Sequence, residues 1–315
     1  MLTNLGFIYQ LYVMFMGSHY QANGINKYLF INSLSLGGIM QKTITYLYPD
    51  ERNAANLKMY QDRTNQIKAF YFTRESYKRV YELPCSLNYA IYFLFNDSED
   101  ENLVYVGQSV NGIQRIEDHV RSKDFWSYGI LFVTDNNSFD RLLIDYLEYE
   151  FIQKFKKSSY VLTNKDLRLN KPNISVYDLP NLEAFIAQIE FLLSAEGIDI
   201  DEQVDKNESI KYYYPPTKHN AKLFVKDGKF ILSAGSEIKR PPESTKAWKD
   251  KNHYKRGNLI IDSYIENEKV IEMDGKFITQ VNLAFRAPSA PADLITGLSE
   301  NGWKFFKELE EIRGE

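Results

Sequence analysis

Tyr92, Tyr105, Arg115, His119 and Glu148 follow one another through the middle of the chain. Two phenols, a fixed cation, an imidazole and one carboxylate are the parts that metal-assisted hydrolysis of a phosphodiester requires. The reaction needs an activated water, positive charge at the phosphate and help for the leaving oxygen. A tyrosine ordinarily has a pKa of about 10 and acts as a base only beside a cation or partner that favours the phenolate. Arg115 offers a planar, permanently charged fork for phosphate. His119 lies one helical turn beyond it on the same face, where it could bond a tyrosine or relay its proton. Glu148 offers a hard oxygen. Mg²⁺ keeps several waters and takes one or two protein carboxylates, so a lone glutamate suffices when the phosphate also coordinates.

These residues need neighbouring strands and two helices to hold them. The run Asn88–Asn96 alternates as a strand, with Tyr89, Ile91, Phe93 and Phe95 on one face and Ala90, Tyr92 and Leu94 on the other. The polar stretch 96–102 is a hairpin loop, and Leu103–Val106 returns as the second strand, placing both tyrosines on adjacent strands. A turn-rich loop to Gly112 leads into a helix over residues 113–121 carrying Arg115 and His119. A third strand is expected over 125–133. Apolar residues at 142, 143, 146, 147, 151, 152 and 155 space a helix over 139–157, which carries Glu148 after a capping turn at 135–138. A further helix is expected over 182–193, and a strand over 41–48.

Taken together these residues resemble the GIY-YIG nuclease family. Ala90-Ile91-Tyr92 stands for the first triplet, with Ala90 in place of its glycine, and Tyr105-Val106-Gly107 for the second. The resemblance covers about residues 85–170. It implies that Tyr92, Tyr105, Arg115, His119 and Glu148 are catalytic, that Glu148 holds the metal, and that an asparagine closes the module. Asn164 is the preferred match and Asn170 the alternative. It implies a one-metal mechanism with Mg²⁺, or Mn²⁺ in its stead, and leaves open which tyrosine activates water. The expected activity is endonucleolytic cleavage, of DNA rather than RNA. The rival expectation is a catalytically silent nucleic-acid-binding module of the same fold. Gln108, after Gly107, is a candidate phosphate contact, as are Arg121 and Lys123 at the end of the catalytic helix.

The 315 residues carry a net charge of −4, which excludes a uniformly basic nucleic-acid coat but leaves room for a local patch. Residues 216–260 supply one, with eleven Lys and Arg against four Asp and Glu. Lys246, Trp248, Lys249, Lys251, Lys255 and Arg256 are its candidate nucleic-acid contacts, combining phosphate-binding cations with a stacking surface. Cys85 is the single cysteine, so no intrachain disulfide forms, and a reducing cytoplasm is the expected compartment. The apolar run over 5–16 is too short to span a bilayer, and no membrane partner is expected.

The expected fold class is α+β: a small mixed sheet with packed helices, joined to a C-terminal α+β accessory domain. The boundaries are a 1–39 extension outside the fold, a strand-rich segment over 40–84, the nuclease-like domain over 85–195, an acidic linker over 196–215 and the accessory domain over 216–315. In the last, Gly235-Ser236, the stretch Phe285–Ala292, Thr296-Gly297 and Asn301-Gly302-Trp303 resemble a small domain of unknown function often appended to bacterial GIY-YIG proteins. Asp227-Gly228 marks a hairpin turn there, and Ser289 is read as the cap of a helix over 290–295.

Overall fold

The strand over Ala90–Phe95 is buried along its whole length. Its unbroken apolar run suits a strand covered on both faces. Ile91, Phe93 and Phe95 enter one core, while Ala90, Tyr92 and Leu94 enter another on the opposite side. This is the alternation read from the sequence, with both faces covered.

The computed structural model describes residues 42–49, 51–98, 101–165, 170–200, 210–242 and 251–313. The 1–39 extension lies outside them. The fold is α+β. The first sheet contains β1 (Ile44–Leu47), β2 (Leu57–Asp62), β3 (Ile67–Thr73), β4 (Ala90–Phe95), β5 (Leu103–Ser109), β6 (Tyr128–Thr134) and β7 (Val161–Leu162). Its order is β1-β2-β3-β6-β4-β5-β7, antiparallel except that β7 runs parallel to β5. The third strand thus begins later than expected, at Tyr128, and buried Trp126 leads into it.

A 3-10 turn over Gly112–Arg115 runs into α1 (Ile116–Ser122), and Ile113 and Ile116 pack on the Tyr92 face. Gly112 has φ +49°, and a Cβ there would meet the Ser86 carbonyl, so only glycine turns the chain at this point. On the other face lie α2 (Arg141–Lys157) and α3 (Leu179–Ser194), contributing Leu147, Phe151, Phe155, Ile189 and Leu192 to the larger core. The cap of α2 is Asp140 rather than the 135–138 turn: its Oδ1 accepts from Leu143 N at 2.8 Å.

The acidic stretch read as a solvated linker starts within the packed structure. Ile198 and Ile200 are buried, and Glu196 pairs with Lys58 on β2 at 2.6 Å. Charge count alone conceals two isoleucines that the large core takes up. Residues 201–209 lie outside the described residues.

Beyond it come β8 (Tyr212–Tyr213), β9 (Leu223–Lys226), β10 (Lys229–Leu232) and β11 (Glu237–Ile238), then α4 (Lys251–Glu266), β12 (Val270–Met273), β13 (Lys276–Thr279) and β14 (Leu283–Phe285). They are followed by α5 (Ser289–Thr296) and α6 (Gly302–Phe305). One sheet has the order β14-β10-β9-β8 and the other β11-β13-β12. The β9–β10 turn has positive φ at both Asp227 and Gly228, the geometry that a twisted two-residue hairpin requires. Ser289 is the first residue of α5 rather than its cap, a position taken by Pro288. Residues 43–315 group as one compact unit, and Val161 of β7 belongs to the C-terminal core.

Candidate active site

Tyr92 on β4 stands opposite Gly107 on β5. A Cβ at Gly107 would lie 2.4 Å from the Tyr92 hydroxyl, so the absent side chain is the space that the phenol fills. Tyr105 lies two residues back on the same face, a diagonal neighbour. The two rings are stacked with centroids 6.2 Å apart. His119 of α1 reaches both: its centroid is 4.8 Å from Tyr105 and 5.6 Å from Tyr92. Its Nε2 lies 2.6 Å from the Tyr92 hydroxyl.

Tyr92 is 1% exposed. Burial, then the Tyr105 phenol, push its pKa well above the usual value, with Arg115 opposing. It therefore keeps its proton and serves as a hydrogen-bond partner for His119. Burial also pushes the His119 pKa down to about 4, helped by Lys123 and Arg115 and opposed by Asp118. His119 is thus neutral near pH 7. Its Nδ1 is buried and has no hydrogen-bond partner among the described residues.

In front of this pair opens a cleft of about 650 Å³ lined by Tyr105, Arg115, His119, Glu148, Asn164, Arg121, Lys123 and Lys165, among others. Of the six catalytic candidates, five border it; Tyr92 lies behind, bonded to His119. Glu148 is 6% exposed, held near the middle of α2 between Leu147 and Phe151 of the core. Arg115 is half exposed and bonds Asp118 Oδ2 at 2.5 Å. A guanidinium has five donors, so this contact leaves others for a ligand. Lys123 Nζ stands 4.2 Å from the Tyr105 ring centroid. Burial, Lys165 and Arg115 pull its pKa down.

Asn164 has a job inside the fold. Its amide donates to Val106 O at 2.7 Å and accepts from Val106 N at 3.0 Å. It continues the β5–β7 pairing by one side-chain rung after β7 ends. Gln108 donates to Asp145 Oδ1 at 3.0 Å and borders a second, polar cleft of about 420 Å³ that also touches Arg115 and Arg141. Arg121 is exposed on the rim of the first cleft.

Sequence reasoning missed Asp118 and Lys165. Asp118 had a readable signal, three residues from Arg115 on one helix face. Lys165 had none, since only the closing of β7 against β5 brings it to the cleft.

The basic segment is described only in part. Lys246, Trp248 and Lys249 lie outside the described residues. Lys251 and Lys255 lie on the first turns of α4, and their side chains lie outside the described set too. Arg256 is exposed and its Nη2 lies 3.4 Å from Ser98 Oγ. Other cations of the patch are spent internally: Arg240 bonds Asp262 at 2.6 Å, and Lys229 donates to Gly197 O at 2.9 Å.

Residues 213–312 match the family model of a domain of unknown function, DUF4357. The match is a C-terminal accessory domain and leaves the cleft residues outside it. No curated protein and no solved structure matches the chain. No helix among the described residues is long and apolar enough to cross a membrane.

Proposed function

We propose that the protein is an Mg²⁺-dependent endonuclease of the GIY-YIG type, acting on nucleic acid and on DNA in preference to RNA. The reading rests above all on one observation. Tyr105, Arg115, His119 and Glu148 come from a strand, a 3-10 turn and two helices, and all border one cleft. Arg115 binds and neutralises the scissile phosphate. Tyr105, the tyrosine that borders the cleft, accepts the proton of the attacking water, with Lys123 over its ring favouring the phenolate. Neutral His119 stands against the Tyr105 ring and helps to position it, and the buried Tyr92, hydrogen-bonded to its Nε2, fixes the orientation of the imidazole.

The donor set fits a magnesium or manganese ion completed by substrate. Among the described residues no group of three His, Cys, Asp or Glu is placed to hold a metal. Glu148 supplies a hard carboxylate beside cations that attract phosphate, and Mg²⁺ uses few protein ligands and keeps its waters. Glu148 would hold the ion, and the ion would supply charge stabilisation at the phosphate. Purified protein incubated with plasmid, single-stranded and branched DNA, and with RNA, tests the reading with and without Mg²⁺. Metal-dependent cuts in DNA are expected. Binding without cleavage on every substrate would instead favour the silent binding module.

A further inference from the structure

Lys269 is fully buried, directly before β12 in the C-terminal domain. Its backbone is tied at both ends: its N–H donates to Tyr264 O at 2.8 Å, and its carbonyl accepts from Gln280 N at 2.7 Å. Its side chain leaves that domain and reaches the end of α2. Nζ donates to Ser158 O at 2.5 Å, Lys156 O at 3.2 Å and Phe155 O at 3.3 Å. An ammonium has three donors, and here three carbonyls take them. The last carbonyls of a helix lack the usual i+4 partners and carry the negative end of its dipole; Phe155 O also accepts from Ser158 N at 3.2 Å and Ser158 Oγ at 3.0 Å. A buried cation without partners is very costly. Each side therefore answers the other's need.

The neighbouring contacts grip the same region. Asn267 Oδ1 accepts from Leu162 N of β7 at 2.9 Å, and Asn102 Nδ2, just before β5, donates to Ala284 O at 2.8 Å. Arg286 pairs with Asp97, and Val161 lies in the C-terminal core. The two gripped elements both lead to the cleft. Glu148 sits on α2 upstream of the carbonyls that Lys269 holds, and β7 leads to Asn164 on the cleft wall.

We propose that the DUF4357 domain is a brace for α2 and β7, with Lys269 as the pin that sets the end of the Glu148 helix. The brace stands on its own geometry; the consequence for Glu148 as a metal ligand rests on the nuclease reading.

Hydrogen exchange on the full chain tests it, comparing wild type with Lys269→Met. Peptides covering the end of α2 and β7 should exchange roughly tenfold faster in the variant, while β2 and β3 change little. Unchanged exchange there, or loosening confined to the C-terminal strands, would overturn the brace. Should Lys269→Met fail to fold, Asn267→Ala removes one bond of the same grip, and about threefold faster exchange at β7 is expected; wild-type exchange would again overturn it. The positioning role is read from the Mg²⁺ concentration giving half-maximal cleavage. It should rise several-fold in Lys269→Met. It should not move in Ile295→Val, which loosens the C-terminal core at a buried position. Equal shifts in both variants would reduce Lys269 to a general stability residue and sink the positioning claim. Absence of cleavage in the wild type would sink the nuclease reading alone, because the exchange comparison still decides the brace.

Discussion

Two buried basic side chains receive opposite treatment from their surroundings. Around His119 stand Lys123 and Arg115, and its Nδ1 has no hydrogen-bond partner among the described residues. Around Lys269 stand three carbonyls, one for each donor. The first environment keeps the ring uncharged and leaves one of its nitrogens buried without a partner among the described residues. The second leaves nothing to spare and ties two parts of the chain together. Burial alone therefore says little about a basic group's role. What fills its remaining donors and acceptors says much more.

The sharpest way to break this contrast is at the cleft itself. Arg115→Ala and Glu148→Gln should each lower Mg²⁺-dependent cleavage by ~10²–10³, the typical cost of a lost preorganised electrostatic contact. Circular dichroism should remain that of the wild type. Plasmid nicking at wild-type rates in either variant would remove the cleft from consideration as the reacting site.

Next in size is Gly107→Ala. The added methyl would stand 2.4 Å from the Tyr92 ring, which His119 holds in place. Overpacking of this kind costs about 1–3 kcal/mol. Urea denaturation should record that loss, and cleavage should fall with it because the displaced ring carries His119. A variant as stable as the wild type would mean that Tyr92 can yield, and that its hold on His119 is loose.

The pH dependence of stability tests the neutral histidine. His119 titrates near 4 in the folded chain against an ordinary 6.5. Between those values the unfolded chain takes up the proton first, so acid favours unfolding. The contribution is complete above pH 6.5 and is lost as pH falls towards 4. The denaturant midpoint should decline over that window in the wild type and decline less in His119→Gln. Identical slopes would show that the ring is solvated and that the contrast with Lys269 fails.

The smallest effect sharpens the other side of the comparison. Lys156 pairs with Glu268 at 2.9 Å on the rim beside Lys269, with the glutamate largely exposed. Exposed pairs contribute ~0–1 kcal/mol. Lys156→Ala should therefore shift the melting temperature much less than Lys269→Met does. Equal shifts would place the grip in the rim charges rather than in the buried pin.

Much of the first sheet was legible in the sequence. The alternation in 88–96 gave both faces of β4, and the apolar spacing in 139–157 placed α2 with Glu148 on it. Strong local periodicity needs no knowledge of distant partners. Capping was less legible: the four polar residues 135–138 before α2 competed with Asp140, and the backbone chose by geometry that side-chain type does not encode. The acidic 196–208 stretch misled because Ile198 and Ile200 find their core only once β2 and α3 are assembled.

Residue chemistry together with the resemblance to the GIY-YIG family determined the candidate set Tyr92, Tyr105, Arg115, His119 and Glu148, and the apolar pattern determined which elements carry them. Those are local properties: type, period and turn chemistry. Only the tertiary structure decided that Tyr105 borders the cleft while Tyr92 lies behind it, because β4 is flanked by β6 and β5 whereas β5 has only the two-residue β7 on its far side. Only it turned Asn164 into a rung on Val106. Only it brought Lys269 to the end of α2, across more than a hundred residues of chain. No periodicity marks such a pairing, since a lysine's partners are set by where two separately formed elements meet.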